Sequence, residues 1–245
     1  MKLLSSFKEY YQRSLFTITP LSKVFNPFYF ARKGLYEAIE FFSSELSGSK
    51  RILDVGCGKK PYMHLFQNSE YIGLEIDSES NRLNKHADYF YDGHTFPFED
   101  NSFDAVICNQ VLEHVFEPSS FLKEINRCLK SDGKFLLTVP FVWDEHEIPY
   151  DFARYSSFGL IHLLERENFI VVDHKKSVDD IRVVFQLVLA YVYKVSIAPR
   201  RRFLQFLLTP VLVFPVNIIG DLLSWIFPQN QDLYLDNVIL AEKGK

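Results

Sequence analysis

The sequence is poor in cysteine and has no excess of positive charge. Its three cysteines, Cys57, Cys108 and Cys128, are far apart and lack the spacing of a metal site or a redox pair. This scarcity predicts that the protein resides in a reducing compartment and has no structural disulfide. The histidines also lack the spacing of metal ligands, so we expect no metal site. The formal net charge is −4 at pH 7. Because a chain without a positive field binds phosphate backbones poorly, we expect no nucleic acid partner.

Residues 1–11 lack the uninterrupted apolar core of a secretory signal peptide, because serine, lysine and glutamate interrupt the apolar residues there. We therefore expect a cytoplasmic protein. Hydrophobic residues make up 47% of the chain and aromatic residues 16%, which is more apolar material than a soluble core of this size needs. The excess is concentrated in residues 181–227.

From residue 51 onward, short apolar runs alternate with helix-like segments, a pattern typical of βα units around a parallel sheet. The fold class predicted is therefore α/β. Strands are predicted at residues 51–55, 71–76, 88–91, 103–108, 134–139, 169–173 and 233–242. The predicted organisation is a helical preamble over residues 1–50, a cofactor-binding core over 51–180, an apolar helical insertion over 181–230 and a last core strand within 231–245.

Residues 52–58 (ILDVGCG) have the pattern of a buried strand that runs into a glycine turn. Glycine tolerates positive φ and has no Cβ, so a cofactor can lie against Gly56 and Gly58 at the carboxyl edge of the sheet. Pro61 suits the first position of a following helix. A tight strand-to-helix turn without a ligand is the alternative explanation of this motif.

An acidic residue ends the next predicted strand, where a carboxylate can accept both ribose hydroxyls of a cofactor. Glu75, 21 residues after Asp54, is the first candidate and Asp77 the second, and either could instead cap the helix that follows. Lys59 and Lys60 follow the glycine turn. A dinucleotide-binding motif instead continues to a third glycine, which lets the start of the helix approach the pyrophosphate. This favours S-adenosylmethionine (SAM), which has no phosphate, over NAD. The two lysines either approach the methionyl carboxylate or are solvated.

Together these segments resemble the class I SAM-dependent methyltransferase family. The resemblance rests on five segments in the family's order: residues 54–58 (DVGCG), 71–75 (YIGLE), 92–98 (DGHTFPF), 101–106 (NSFDAV) and 111–115 (VLEHV). It extends through residues 129–133 (LKSDG), the expected turn before the fifth strand. It implies a Rossmann-like sheet of seven strands, mostly parallel, whose last strand is antiparallel.

The same resemblance implies a cofactor-binding role for several residues at the predicted strand ends. They are Asp54 and Gly56 for the methionyl end of SAM, Glu75 for the ribose, Asp92 with Gly93 for the adenine amino group, and Asn109 for closure over the methionine portion. Lys60 departs from the family pattern, in which a third glycine often stands at this position.

Residues 140–155 concentrate ionisable and aromatic side chains in the loop that such sheets place over the active-site crevice. His146 is a candidate general base, and Asp151 with Arg154 could form an orienting pair or bind a polar substrate group. The alternatives are an exposed histidine and a structural ion pair. The pattern His-x-x-Pro-Tyr-Asp-x-x-Arg-Tyr resembles a methyltransferase subgroup of bacterial surface-polysaccharide and lipid pathways. His114 is interpreted as a helix-start residue near the cofactor.

Residues 181–197 and 203–227 are strongly apolar and flank three arginines at residues 200–202. Polar residues interrupt both stretches and prolines interrupt the second, so an in-plane or re-entrant arrangement on a membrane is favoured over a simple crossing. The arginines would attract anionic headgroups on the cytoplasmic face of that membrane. The alternative is that these helices pack on the core, on the preamble or on a second subunit in a homodimer.

The leading hypothesis is a SAM-dependent methyltransferase with a small-molecule, glycan or lipid-linked acceptor, for which O-methylation is favoured. An alternative from another class is a SAM-binding scaffold or partner protein without catalysis. A nicotinamide oxidoreductase is a third hypothesis, which the lysines after the glycine turn disfavour.

Overall fold

The structure, a computed structural model, describes residues 18, 19, 21–48, 50–84 and 86–245. It divides into two compact units. The first, here called the sheet unit, comprises residues 38–175 and 236–245, and the second, the helical unit, comprises residues 176–235 with the described part of residues 1–37. The predictions for residues 1–17, including the absence of a signal peptide, lie outside the described residues.

The sheet unit is built on a seven-stranded sheet, which confirms the predicted fold class. Its strands are β1 (Arg51–Val55), β2 (Glu70–Ile76), β3 (Tyr89–Tyr91), β4 (Phe103–Asn109), β5 (Leu129–Pro140), β6 (Phe169–Ser177) and β7 (Asp236–Lys243). The helices in the described residues are α1 (Ser22–Phe25), α2 (Tyr29–Glu45), α3 (Glu79–Asn84), α4 (Pro118–Cys128), α5 (Ser157–Arg166), α6 (Arg182–Val192) and α7 (Arg202–Ser224).

The strand order is β3-β2-β1-β4-β5-β7-β6. The pairs β1–β2, β1–β4, β2–β3 and β4–β5 are parallel, while β7 runs antiparallel to β5 with Leu136 opposite Leu240. The strand order reverses between β1 and β4, and in parallel sheets a ligand binds in the crevice beyond the carboxyl ends of the strands at such a point. The turns after β1 and β4 therefore mark the place to look for a site.

The core explains why these segments become strands. Residues of the central strands are apolar and almost fully buried, and they include Leu53, Val55, Leu74, Val106 and Leu137. A strand covered on both faces needs such a continuous apolar run. Helix α4 contributes an apolar face to the same core, and Pro118 occupies its first turn, where a missing N–H costs nothing.

Two local predictions are wrong. Pro61 does not start an α-helix: the connection from Val55 to Glu70 forms only a single 3₁₀ turn, at Met63–Leu65. Residues 129–133 are not a turn before the fifth strand but its first part. Leu129 is fully buried and pairs with Phe103, and an irregularity in the β4–β5 register absorbs the polar residues after it.

The helical unit contains α1, α6 and α7, with the start of α2. Gln186 of α6 is fully buried and links the two chain segments of this unit. Its Oε1 accepts hydrogen bonds from the backbone N–H groups of Phe30 and Ala31, and its Nε2 donates to the carbonyl of Pro27. This glutamine satisfies backbone donors at the start of α2 that have no partner within the helix.

Candidate functional site

The turn after β1 brings two glycines to the carboxyl edge of the sheet. Gly56 has a φ of 71° and Gly58 a φ of 52°, both in the region that side chains with a Cβ disfavour. A Cβ at Gly56 would lie 2.3 Å from Cγ2 of Val111, in the turn after β4. The close approach of these two turns therefore requires glycine at position 56.

Glu75, at the end of β2, lies directly beside this turn. Its Oε1 accepts a hydrogen bond from the backbone N–H of Gly58 at 2.7 Å, and its Oε2 accepts one from Asn81 at 3.1 Å. Burial raises the pKa of Glu75, the backbone N–H groups of Gly58 and Ile76 lower it, and the nearby Glu147 raises it. A hydrogen-bond acceptor held at the glycine turn fits the predicted ribose-binding role of Glu75.

The other candidates near the turn have different partners. Asp77 is exposed and forms an ion pair with Arg82 of α3, which lowers the pKa of its carboxyl. Lys60 forms an ion pair with Asp88, and its side chain lies over Gly73, where a Cβ would be 2.4 Å from Cε. Lys60 is thus neither a solvated lysine nor free to reach a methionyl carboxylate, and of the two carboxylates Glu75 is the better placed for the cofactor.

Asp54 lies in the core beneath the turn, with 4% of its surface exposed. The hydroxyl of Tyr71 donates a hydrogen bond to its Oδ2 at 2.6 Å. Burial raises the pKa of Asp54 to about 7, the Tyr71 hydroxyl opposes the shift, and the charge of Glu75 adds to it. Asp54 pairs with Gly73 in the β1–β2 register, and Tyr71, two residues before Gly73, lies on the same face. This alternation is the sequence signal for the partner of Asp54.

Asp92, Gly93 and Asn109 follow the neighbouring strands. The Oδ1 of Asp92 accepts hydrogen bonds from the backbone N–H groups of His94 and Thr95, which lower the pKa of its carboxyl. Gly93 has a φ of 90°. The Oδ1 of Asn109 accepts a hydrogen bond from Thr138 at 2.8 Å. The predicted cofactor residues thus come from the carboxyl ends of β1, β2, β3 and β4, and their individual binding roles stay predictions.

The loop after β5 is held together by a partly buried ion pair. Both oxygens of Asp151 accept hydrogen bonds from the guanidinium of Arg154, at 2.6 and 2.7 Å. Arg154 lowers the pKa of Asp151 to about 2, against the opposing effect of burial. Asp151 also accepts a hydrogen bond from the backbone N–H of His146 at 3.0 Å. Both partners are engaged within the loop, as an orienting pair or a structural ion pair would be, so the roles of Asp151 and Arg154 stay predictions.

Glu113, to which no functional role was assigned from sequence, forms a cluster with His114 and His146 in the sheet unit. Glu113 is fully buried, and neither of its carboxyl oxygens has a hydrogen-bond partner. Burial raises the pKa of Glu113 to about 8. The rings of His114 and His146 are 4.8 Å apart, edge to face. The Leu-Glu-His triplet was visible in the sequence, but its convergence with His146 was not.

Comparison with known proteins identifies the central segment. Residues 53–137 match the family model of a methyltransferase domain. An uncharacterized protein of Methanocaldococcus jannaschii is 31% identical over 146 residues, which cover 56% of this chain and 53% of that protein. A tRNA U34 carboxymethyltransferase of Nautilia profundicola is 27% identical over 128 residues, which cover 47% of this chain and 43% of that enzyme. The chain spans about half the length of these curated relatives.

A solved structure confirms the fold. Phosphoethanolamine N-methyltransferase 2 of Haemonchus contortus, in complex with SAM, is similar to this chain with a TM-score of 0.55 and 17% sequence identity. The match covers 86% of this chain and 52% of that one. The fold is that of the class I methyltransferases.

Proposed function

We propose that the chain transfers a methyl group from SAM to a hydroxyl of a small-molecule, glycan or lipid-linked acceptor. Its residues 53–137 match the family model of a methyltransferase domain, which supports the reaction class. The observation that carries the proposal is the hydrogen bond from the backbone of Gly58 to Glu75, 2.7 Å long. It holds a carboxylate against a glycine turn at the point where the strand order reverses. There the hydroxyls of a ribose can replace the backbone N–H as hydrogen-bond donors to the carboxylate.

The reaction is an in-line displacement at the methyl carbon, so the protein mainly has to align the acceptor and exclude water. Attack by a hydroxyl also requires loss of its proton. His146 lies in the acceptor loop, and its Nδ1 is 3.4 Å from Asp151 Oδ2. A carboxylate at one ring nitrogen fixes the ring and leaves the other nitrogen for the acceptor side. This arrangement favours O-methylation.

A first test measures cofactor binding by calorimetric titration with SAM, S-adenosylhomocysteine and NAD. We expect SAM and S-adenosylhomocysteine to bind and NAD not to bind. Glu75→Gln should weaken SAM binding by about tenfold or more, because a ribose hydroxyl loses a charged acceptor. Glu79→Gln, an exposed neighbour on α3, is the matched control and should bind SAM as the wild type does. NAD binding tighter than SAM binding, or unchanged affinity in Glu75→Gln, would contradict the assignment.

Turnover distinguishes the enzyme from a SAM-binding scaffold. The chain is incubated with methyl-labelled SAM and separate fractions of membrane lipids, glycans and tRNA. Label in the lipid or glycan fraction supports the proposal. Label in tRNA alone contradicts the proposed acceptor class, and tight SAM binding without label in any fraction favours the scaffold.

We also propose that the helical unit binds an anionic membrane surface. In the described part of the chain one helical stretch, Phe203–Ser224, is long and apolar enough to cross a membrane by length and composition. Most of its apolar residues face outward, although Val213 is fully buried. The buried residues of α7 include Thr209, Asn217 and Gly220, whereas Phe203 and Val211 are exposed by 72% and 67%. An apolar face turned outward marks a contact with lipid or protein.

Charge and position favour lipid in an in-plane arrangement. Arg200 and Arg201 are exposed at the start of α7, where each adds about 1 kcal/mol of attraction to an anionic surface. Asp221, in the second half of α7, forms an ion pair with Lys23 and lies 3.9 Å from Arg182. A crossing would place this ionic cluster in or near hydrocarbon at high cost. A re-entrant segment needs a break, and α7 continues through Pro210 and Pro215.

Vesicle flotation tests this surface. We expect the chain to float with anionic vesicles at low salt and less at high salt, because salt screens the arginines. Phe203→Glu should abolish flotation, since it puts a charge on the apolar face. Phe158→Glu, at an 84% exposed aromatic of α5, is the control and should float normally. Protein that stays unbound to anionic vesicles, or a dimer that Phe203→Glu dissociates, would overturn the membrane proposal.

A further inference from the structure

The geometry points to a divalent metal site formed by Glu113, His114 and His146. One ligand atom from each residue lies within 4.8 Å of those of the other two. Glu113 and His114 come from the turn after β4, and His146 comes from the loop after β5. The inference deepens the proposed function, on which its chemical role rests, because it places a cation beside the acceptor loop.

The carboxyl of Glu113 is the strongest observation. Its side chain is completely buried and both oxygens lack a hydrogen-bond partner. A buried polar group without a partner is costly, and native proteins seldom keep one without a reason. Arg154, whose charge acts on Glu113, uses its terminal nitrogens on Asp151 and on backbone carbonyls. Its Nε is also buried without a hydrogen-bond partner, so it does not pair with the Glu113 carboxyl. A metal ion would supply the missing partner of the carboxylate.

Both histidines are oriented as metal ligands. The Nδ1 of His114 is 2.7 Å from the carbonyl oxygen of Tyr150, so Nδ1 carries the proton and donates it. This leaves a lone pair on Nε2, which lies 3.8 Å from Glu113 Oε1. The Nδ1 of His146 is 3.2 Å from the carbonyl oxygen of Asp144 and 3.4 Å from Asp151. A carbonyl or carboxylate that holds the other ring nitrogen is the usual second partner of a metal-bound histidine.

The donor set selects the class of ion. Two imidazoles and one carboxylate suit zinc, iron(II) and cobalt(II) better than magnesium or calcium, which prefer oxygen ligands. With metal–ligand bonds of about 2.0–2.1 Å, tetrahedral ligand atoms are about 3.4 Å apart. The widest separation here is 4.8 Å, so closure requires side-chain movement on the order of 1 Å. Three protein ligands leave a coordination position open, as in catalytic zinc sites.

The open position gives the ion a role in the proposed reaction. A bound acceptor hydroxyl would have its pKa lowered and would lose its proton to solvent. With the metal bound, His146 would be its ligand, and this role would replace the general-base role that the metal-free site gives it. The oxygen then uses a lone pair to form the new O–C bond. The methyl carbon breaks its bond to sulfur, and that electron pair stays on sulfur as neutral S-adenosylhomocysteine. The transfer requires no oxidant or reductant.

The test titrates the full chain, first stripped with a chelator, with Zn²⁺, Co²⁺ and Mg²⁺ chlorides. We expect one Zn²⁺ or Co²⁺ per chain by calorimetry, the visible absorption of four- or five-coordinate Co²⁺, and no comparable Mg²⁺ binding. Glu113→Gln and His146→Ala should each weaken Zn²⁺ binding by at least about a hundredfold. His162→Ala, an exposed histidine on α5, is the matched control and should bind Zn²⁺ as the wild type does.

SAM titration of the same variants shows whether each variant is folded. The Zn²⁺ result can then be interpreted separately from a folding defect and from the proposed function. The site is supported if Glu113→Gln and His146→Ala bind SAM normally but do not bind Zn²⁺. This outcome does not depend on whether an acceptor has been found. Failure of the wild type to bind Zn²⁺ or Co²⁺ stoichiometrically overturns the site, as does equal binding by the two variants and the wild type. Methyl transfer that is unchanged in chelator, with the metal removed, overturns its role in the reaction.

Discussion

Gly56→Ala is expected to abolish measurable SAM binding and to lower the free energy of unfolding by about 2–5 kcal/mol. Two costs combine at this position. The φ of 71° disfavours any residue with a Cβ, and the new methyl group would lie 2.3 Å from Cγ2 of Val111. Relief of that overlap moves the turn after β1 away from the turn after β4, which separates the groups that would hold the cofactor. Urea unfolding and calorimetry measure the two effects.

Two other variants separate these costs. Gly48 has a φ of 74°, and no atom lies within 4 Å of the place that a Cβ would occupy, so Gly48→Ala carries only the backbone cost. Gly56→Ala combined with Val111→Ala removes the overlap and should recover part of the stability. If Gly48→Ala is as destabilising as Gly56→Ala, or the double variant recovers nothing, contact with Val111 is not the cause.

The stability of the wild type is expected to fall as the pH rises from 4 to 7, with Asp54 contributing about 4 kcal/mol. In the folded chain burial raises the pKa of Asp54 from 3.8 to about 7. Between these values the folded state holds a proton that the unfolded state has lost. The contribution is therefore complete below about pH 4 and is lost as the pH rises through 7. Urea unfolding at several pH values measures it.

The difference in free energy of unfolding between the wild type and Asp54→Asn isolates this contribution. The pKa of Glu113 is also raised, but its effect on stability is present in both proteins and cancels in the difference. Tyr71→Phe should move the decline to higher pH, since the tyrosine hydroxyl stabilises the charged form. Asp92→Asn is the control, because the pKa of Asp92 is lowered and the pH dependence of its contribution has the opposite sign. Parallel stability curves for the wild type and Asp54→Asn would show that Asp54 ionises normally in the folded chain.

The central strands were predictable because they are buried apolar runs between polar turns. β1 has its predicted bounds, and the centre of β7 is an apolar run that the sequence displays directly. Errors arose where pairing outweighed local preference. Lys-Ser-Asp-Gly has the composition of a turn, but Leu129 before it is buried against β4, so the strand begins there.

The site was predictable to the extent that it is local. Gly56, Gly58 and Glu75 end strands that pair directly, so sequence order and sheet geometry place them together. The partner of Lys60 could not be derived in the same way, because Asp88 reaches it through side-chain packing. The cluster of Glu113, His114 and His146 depends on how a long loop returns to the sheet, which no spacing in the sequence encodes.

The position of β7 has a consequence for the order in which the protein can fold. β7 lies between β5 and β6 but follows both in the chain, separated from β6 by the whole of α6 and α7. During synthesis β5 and β6 must wait with unpaired backbone edges while these apolar helices emerge. Unpaired edges and exposed apolar surface both promote aggregation. The nascent chain therefore exposes these edges and its apolar helices until residues 236–243 complete the sheet.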